Sequence, residues 1–407
     1  MNILLINHYA GSSRHGMEYR PFYLAREWVR LGHTVTIAAG SHSHLRMQNP
    51  EFEGQFSEED IEGIRYVWLK TPPYEGNGVG RTLNMFVFLR QLYRHKKRLA
   101  ANGKPDVVIA SSTYPMDTIP AYRFAKGWGA KKVFELHDLW PLSPIELGGM
   151  SPRHPFIMMV QYAENFACRK ADCVVSMLPR AEEHLREHGL GASKFYYVPN
   201  GVAIEEWDYQ EPLPKEHSEA LARLRSERRF LVGYAGAHGL ANTLDWIIDA
   251  AQHLKSEPAT FVLVGKGPDK EALQQRVREL GLTNVVFLPS ISKGAIPSFL
   301  AEMDALYIGF HKKPIYRFGI SPNKLMDYMM AAKPVISAIE AGNDVVAESG
   351  CGLSIPAENP KRIAEAVVEL MGLSPAQREE MGLRGQKFLL ANYDNRVLAK
   401  RFLEAIQ

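Results

Sequence analysis

Cysteine is scarce in this chain. Its 407 residues include three, Cys168, Cys173 and Cys351, an odd number without metal-site spacing. That excludes a disulfide framework and points to a reducing compartment. Long apolar runs are missing too. No stretch of about 18 uncharged apolar residues occurs, so no membrane-spanning helix is predicted. The start, Met1-Asn-Ile-Leu-Leu-Ile-Asn-His8, has neither a basic leader nor a cleavage site and reads as a strand, not a signal peptide. The expected location is cytoplasmic, with the inner face of the cell membrane as a peripheral option. Charge of one sign is also lacking. A net +3 is too small to argue for nucleic acid. The loop after the first strand lacks G-x-G-x-x-G, Gly265-Lys-Gly-Pro268 lacks the Ser/Thr of a P-loop, and Gly-x-Ser-x-Gly is absent. Dinucleotide, P-loop and serine-hydrolase chemistry therefore have no anchor.

What remains is an ordinary globular composition, 46% apolar and 23% charged, over a length that predicts two or more domains. Asn2–Asn7 is a short apolar run of the kind a buried parallel strand makes. It is followed by the loop Tyr9–Gly16, a helix over about 19–31 and a strand over 34–38. This opening starts a doubly wound α/β sheet, whose ligands sit at the carboxyl ends of strands. Ser12, Arg14, His15 and Gly16 are the candidate binding residues of that loop, which otherwise is a flexible surface turn. The strand over 132–136 delivers His137 and Asp138 to its carboxyl end. His137 could polarise a hydroxyl and Asp138 orient it, or the pair could simply close the strand. A second start follows the Pro- and charge-rich 208–229: the strand opening at Phe230 runs into a small-residue loop before a helix over 243–254. Gly236 and Gly239 leave the backbone room to approach phosphate, with His238 between them and a helix N-terminus behind.

The chain is centred on Phe318-Gly-Ile-Ser-Pro-Asn-Lys-Leu-Met-Asp-Tyr-Met-Met-Ala-Ala-Lys-Pro-Val-Ile336, a loop, a short helix and a buried strand. Ser321 is the expected N-cap, with Pro322 at the first helical position. Lys324 and Asp327, one turn apart, add a cation and an anion to the helix mouth, which suits a ligand carrying phosphate and sugar hydroxyls. An ordinary capped helix packed on a sheet is the alternative.

This segment resembles the donor-binding signature of family-4 glycosyltransferases, in which a loop and helix read roughly E-x7-E-x-M-A-x-G-x-P-V. The form S-P-N-K-L-x-D-Y-M is similar to a branch that builds bacterial surface polysaccharides, including transferases of N-acetylated deoxyhexosamines. Asp327 stands where the second acid, the ribose ligand, belongs, whereas Gly319 replaces the first. Glu-Leu-His137-Asp138, Val198-Pro-Asn-Gly-Val202 and Val264-Gly-Lys266-Gly-Pro268 also match family markers. The resemblance implies two Rossmann-like domains facing across a cleft (GT-B). An acceptor-side domain would span 1–205, a nucleotide-sugar-binding domain 206–387, and a C-terminal helix, 388–407, would return to the first. It further implies sugar transfer from a nucleotide diphosphate, most often UDP, to a glycan or lipid-linked acceptor, with retained configuration and no metal or other cofactor. No Asp-x-Asp pair is present, against the metal-dependent site of the other major transferase fold. In these terms His137 faces the transferred sugar and Asp327 holds ribose. Gly236, Gly239, Ser321, Asn323 and Lys324 bind diphosphate, with Lys266 the second choice of cation. The amides of Gly319 and Ile320 meet the donor sugar. A sugar-nucleotide epimerase and a non-catalytic nucleotide-sugar-binding partner share these features.

Two further stretches stand out. Residues 81–99 read as one acid-free helix in which Arg81, Arg90, Arg94, Lys96, Lys97 and Arg98 alternate with Leu83, Phe86, Val87, Leu89 and Tyr93. That composition suits a helix lying on anionic lipid, or a core-packed helix with a basic end. His184 and His188 are four apart, as zinc pairs can be, but Glu182, Glu183, Arg186 and Glu187 around them predict a solvated charged face.

Overall fold

A computed structural model describes residues 1–76, 78–239 and 242–407. Asn77, in the predicted Pro72–Gly80 connection, and Leu240 and Ala241, in the small-residue loop of the second half, lie outside the described residues. Contacts divide the chain into two compact units. The first holds Met1–Asn200, Phe318–Ser321 and Asn395–Gln407, and the second holds Gly201–Arg317 and Pro322–Asp394.

The first unit is built on eight strands: β1 Asn2–Ile6, β2 Thr34–Gly40, β3 Phe56–Ile61, β4 Ile64–Leu69, β5 Val107–Ala110, β6 Lys131–Leu136, β7 Cys173–Ser176 and β8 Phe195–Tyr197. They lie in the order β3-β4-β2-β1-β5-β6-β7-β8. All pairs are parallel except β3 with β4. The apolar runs of β1 and β5 are buried along their length, as strands covered by helices on both faces must be. The last helix, Asn395–Ile406, packs on helix Arg20–Arg30: the Trp28 indole donates to the Ala399 carbonyl at 3.1 Å and stands edge-on to Phe402.

The second unit carries six parallel strands, β9 Phe230–Ala235, β10 Ala259–Val264, β11 Val285–Leu288, β12 Ala305–Gly309, β13 Val335–Ala338 and β14 Gly352–Ile355, in the order β11-β10-β9-β12-β13-β14. Alternation divides its core between the two sheet faces. Phe230, Val232, Tyr234, Phe261 and Leu263 pack with Ile247 and Ile363, whereas Leu231, Val262, Leu306 and Ile308 pack with Phe299 and Tyr328.

Two sequence expectations are corrected. The predicted helix over 81–99 is Val79–Arg94 followed by a separate turn, Lys96–Leu99. The break at His95 lets Lys96 lie over Phe124 and Trp128 and Arg98 over Phe56. His184 does not join a solvated face. Glu183, Arg186 and Glu187 are exposed on helix Glu182–Glu187, but its period turns His184 inward beside Leu185, where it bonds buried Glu164. Among the described residues, no helix is long and apolar enough to cross a membrane.

Candidate active site

In the second unit the site is assembled where β9 and β10 end. Gly265 has a φ of +155°, and a Cβ there would stand 1.9 Å from the Gly236 carbonyl oxygen. One on Gly267 would stand 2.2 Å from that of His238. Only glycine lets the two loops press together this closely. The His238 amide donates to the Lys266 carbonyl at 2.9 Å, while the Lys266 side chain is exposed. The His238 ring is buried and neither nitrogen has a hydrogen-bond partner among the described residues. Burial, aided by the charge of Lys270, holds it down at about 4, so it is neutral at pH 7.

Helix Asn323–Met330 brings its first turn to this place. Tyr328 accepts the Ala235 amide through its hydroxyl at 3.1 Å, pinning the helix to the end of β9. One turn earlier, on the same face, the Lys324 ammonium donates to the Tyr234 hydroxyl at 3.0 Å and to the Asn242 amide oxygen, and lies 4.5 Å from the centre of the Tyr234 ring. A Cβ on Gly236 would stand 3.4 Å from the ammonium, so the glycine loop and the lysine share one spot. Burial alone pushes Lys324 down to about 7. A cation in the first turn opposes the helix dipole, and so does its desolvation. An anion bound there would offset both costs. Asp327 is half-buried on the same helix, and burial raises its carboxyl to about 7, with the Lys293 charge opposing and Glu206 adding.

The expected N-cap is corrected. Pro322 holds that position without a side-chain cap. The Ser321 hydroxyl instead accepts the Asn200 amide at 2.8 Å, and its carbonyl accepts the Asn200 side chain. Bound to Asn200, Ser321 cannot fold back over the first turn. Asn323 is exposed at the helix start, its backbone N–H among those the missing cap leaves open. Gly319 adopts a φ of +101°. A glutamate there would be strained, so glycine at this position reflects the backbone and is not a simple loss of an acid. Ile320 follows it, partly buried.

In the first unit, Asn7, Ser111 and His137 stand just past β1, β5 and β6. His137 Nε2 lies 3.0 Å from the Ser111 hydroxyl, which donates to Glu135 at 2.6 Å. Glu135 also meets Arg20 at 2.8 Å, and Arg20 donates on to the carbonyls of Val198 and Pro199. Burial alone would raise the Glu135 carboxyl, but Arg20, with help from His137 and Ser111, outweighs it and holds the group at about 2. Residues 135 and 137 share a face of β6, whereas Asp138 is exposed and no hydrogen bond joins it to the imidazole. The group that orients His137 is therefore Ser111, backed by Glu135.

The Ser12–Gly16 loop is closed on itself. Ser12 and Gly16 exchange both backbone hydrogen bonds, and the Ser12 hydroxyl meets His15 Nδ1 at 2.9 Å. Ser12 and His15 are buried, His15 against Trp68, whereas Arg14 reaches out to Glu59 at 2.9 Å. Sequence reading overlooked a neighbouring aromatic group. Tyr9 stands edge-on to His44 and Tyr114, His44 bonds the Tyr74 hydroxyl at 2.6 Å, and the Arg81 guanidinium lies 5.4 Å from Tyr9 and 5.9 Å from Trp140. A signal was available, since Tyr9, Tyr114 and Trp140 each follow a strand end by three or four residues.

The chain matches known proteins over both units. Residues 15–201 match the family described as a glycosyl transferase 4-like domain, and residues 229–372 match glycosyl transferases group 1. It is similar to the probable glycosyltransferase WbjE of Pseudomonas aeruginosa, 20% identical over 78% of each chain. It is also similar to the putative colanic acid biosynthesis glycosyl transferase WcaI of Escherichia coli (strain K12), 23% identical over 77% of this chain and 78% of that one. The fold is that of Anabaena Alr3699/HepE, solved in complex with UDP, with a TM-score of 0.69 at 16% identity over 99% of each chain.

Proposed function

The chain belongs to the GT-B glycosyltransferases, a 4-like domain followed by a group 1 domain, and from that premise we propose that it moves a sugar from a UDP-linked donor, an N-acetylated hexosamine or its deoxy form, to a glycan or lipid-linked acceptor in surface-polysaccharide synthesis. The observation that carries this reading is Lys324, a part-buried ammonium at an uncapped helix start and under a glycine loop. UDP in the complex of the structural neighbour and the colanic acid assignment of WcaI support the donor and the product class. The bond from the anomeric carbon to the diphosphate breaks and its electron pair leaves on phosphate. The acceptor hydroxyl forms the new bond and loses its proton. Lys324 and the amides of Gly239 and Asn323 meet the growing charge on the leaving group, beside Gly236, whose own amide is held by the Val264 carbonyl at 3.0 Å. Lys266, exposed, is a second cation. Asp327 accepts the ribose hydroxyls, the amides of Gly319 and Ile320 meet the donor sugar, and His137 acts on the transferred sugar. Asp138, Arg14 and the Tyr9–Trp140 aromatic group serve the acceptor, with Ser12, His15 and Gly16 shaping that loop. The transfer retains configuration and uses no metal.

Asp327→Ala tests the ribose assignment. Loss of hydrogen bonds to a charged group, worth about 1.5–3 kcal/mol, weakens UDP binding by about 10- to 100-fold in calorimetry. Unchanged affinity would refute it. Conversion of a UDP-sugar into its epimer without an acceptor, and without net release of UDP, would turn the reading toward an epimerase.

Peripheral membrane contact is part of the proposal. Helix Val79–Arg94 exposes Val79 (86%), Leu83 (55%) and Phe86 (43%) beside exposed Arg90 and Arg94. An apolar row with basic flanks suits an anionic bilayer. Arg90→Gln with Arg94→Gln lowers partitioning onto phosphatidylglycerol vesicles by about 30-fold, at about 1 kcal/mol per cation near the surface. Equal sedimentation of wild type with neutral and anionic vesicles would count against this contact.

A further inference from the structure

Glu164, His184 and His188 are used by none of the chemistry above. Their ligand atoms all lie within 4.8 Å of one another. Glu164 comes from helix Pro155–Lys170, His184 from helix Glu182–Glu187, and His188 is the residue that ends the latter. The Glu164 side chain is 1% exposed, His184 is buried and His188 is a quarter exposed, which leaves one way in from solvent. His184 Nε2 stands 2.9 Å from one carboxylate oxygen and His188 Nε2 stands 3.8 Å from the other.

The surrounding amides determine what His188 presents. The side-chain nitrogen of Gln161 donates to Glu164 at 2.7 Å and to the Asn165 oxygen at 3.0 Å. The same nitrogen lies 3.1 Å from His188 Nδ1, but with both its hydrogens on those two oxygens it has none to donate there, and Asn165 Oδ1, 2.8 Å from His188 Nδ1, accepts that ring's proton. In the neutral ring His188 Nε2 then carries a lone pair that faces a carboxylate oxygen. Two acceptors face each other across 3.8 Å with no proton between them. This is the arrangement of a metal-ligating histidine, whose other nitrogen donates to an outer-shell oxygen that fixes ring and tautomer. Tetrahedral zinc, with bonds of about 2.0–2.2 Å, sets its nitrogen and oxygen ligands about 3.3–3.6 Å apart. The 2.9 Å from His184 and the 3.8 Å from His188 run to different oxygens of the carboxylate and lie on either side of that range, so a small shift of the side chains brings both rings to one ion.

We propose that Glu164, His184 and His188 form a two-histidine, one-carboxylate site for a single divalent zinc-class ion, which clamps helix Pro155–Lys170 to helix Glu182–Glu187. Ligation takes His184 in its Nδ1–H tautomer, and water fills the fourth position on the exposed side of His188. The ion has no part in sugar transfer. Its influence reaches the segment 318–321, because the His184 ring stands edge-on to Phe318 at 5.5 Å and the Arg180 amide donates to the Phe318 carbonyl at 3.0 Å.

The test is made on the full chain after chelator treatment and dialysis. Titration with Zn²⁺ saturates at one equivalent and raises Tm, and Co²⁺ gives the visible bands of a tetrahedral complex, bleached by added Zn²⁺. Asn165→Leu weakens Zn²⁺ binding by about 10- to 100-fold, the usual effect of losing an outer-shell partner, and His188→Gln weakens it further. His188 is partly exposed, so the glutamine variant keeps its fold, and unchanged far-UV circular dichroism verifies that. The proposal is overturned if wild type shows no Zn²⁺-dependent rise in Tm, or if both variants bind Zn²⁺ as wild type does.

Discussion

Lys324→Met lowers the rate of sugar transfer by about 10²- to 10³-fold, the usual effect of removing one donor aimed at the charge that develops on a leaving group. The same substitution raises the Tm of the unliganded protein. Burial holds the ammonium at about 7, against about 10.4 in an unfolded chain. The folded state therefore resists protonating Lys324, a cost that is complete below pH 7 and fades as pH rises from 7 toward 10.4. Methionine carries no such cost. A residue of purely structural value would behave in the opposite way, losing stability along with rate. The paired readout separates the two.

Donor affinity should follow pH through the same groups. A bound diphosphate restores the ordinary basicity of Lys324, so binding takes up a proton above pH 7 and affinity falls about tenfold per unit as pH rises. Asp327, raised to about 7, accepts ribose hydroxyls as a carboxylate, and its contribution is lost as pH falls below 7. Affinity for UDP should peak near pH 7, with Lys324→Met abolishing the alkaline decline and Asp327→Asn the acid one. Calorimetry in buffers of different ionisation enthalpy measures both. An alkaline decline that survives in Lys324→Met would remove Lys324 from the diphosphate.

Much of this was legible in the sequence because buried parallel strands announce themselves as apolar runs, Gly236 and Gly239 directly follow β9, and Lys324 and Asp327 lie on the short helix that leads into β13. Strand β3, Phe-Ser-Glu-Glu-Asp-Ile, offers no apolar run to read, since an edge strand keeps its acids in water. Partners far apart in the chain were invisible. Arg20 and Glu135 are separated by 115 residues, Ser321 and Asn200 by 121, and His184 and Glu164 by 20. The side chain of Ser321 could be read as a cap only while Asn200 was unknown. The Glu-Leu-His-Asp motif drew attention to Asp138 by adjacency, although strand geometry sets residue 135, two places back, on the face of His137.

That face carries the other large effect. Glu135→Gln destabilises the protein by about 3–5 kcal/mol, because it leaves a buried guanidinium without its counter-charge. Arg20 and Glu135 have side chains 5% and 0% exposed, so water cannot take the lost partner's place. The carboxyl is held at about 2, against about 4.3 when unfolded. The pair's stabilisation is present above pH 4.3 and lost as pH falls from there to 2. Wild type therefore loses this stability between pH 4.3 and 2, and Glu135→Gln, having none to lose, has a flatter profile in that window. Replacing both residues, Arg20→Met with Glu135→Leu, removes the unpaired charge and restores most of the loss, since apolar side chains often replace a buried ion pair without penalty. The double variant still leaves Ser111 without the carboxylate that directs its hydroxyl. His137 then loses its fixed orientation, and transfer stays slow in a protein that is stable again. Urea unfolding at pH 7 and pH 3, with the transfer rate measured on the same samples, distinguishes these outcomes. Full activity in the double variant would mean that the Arg20–Glu135 pair only holds the fold and that His137 does not depend on it.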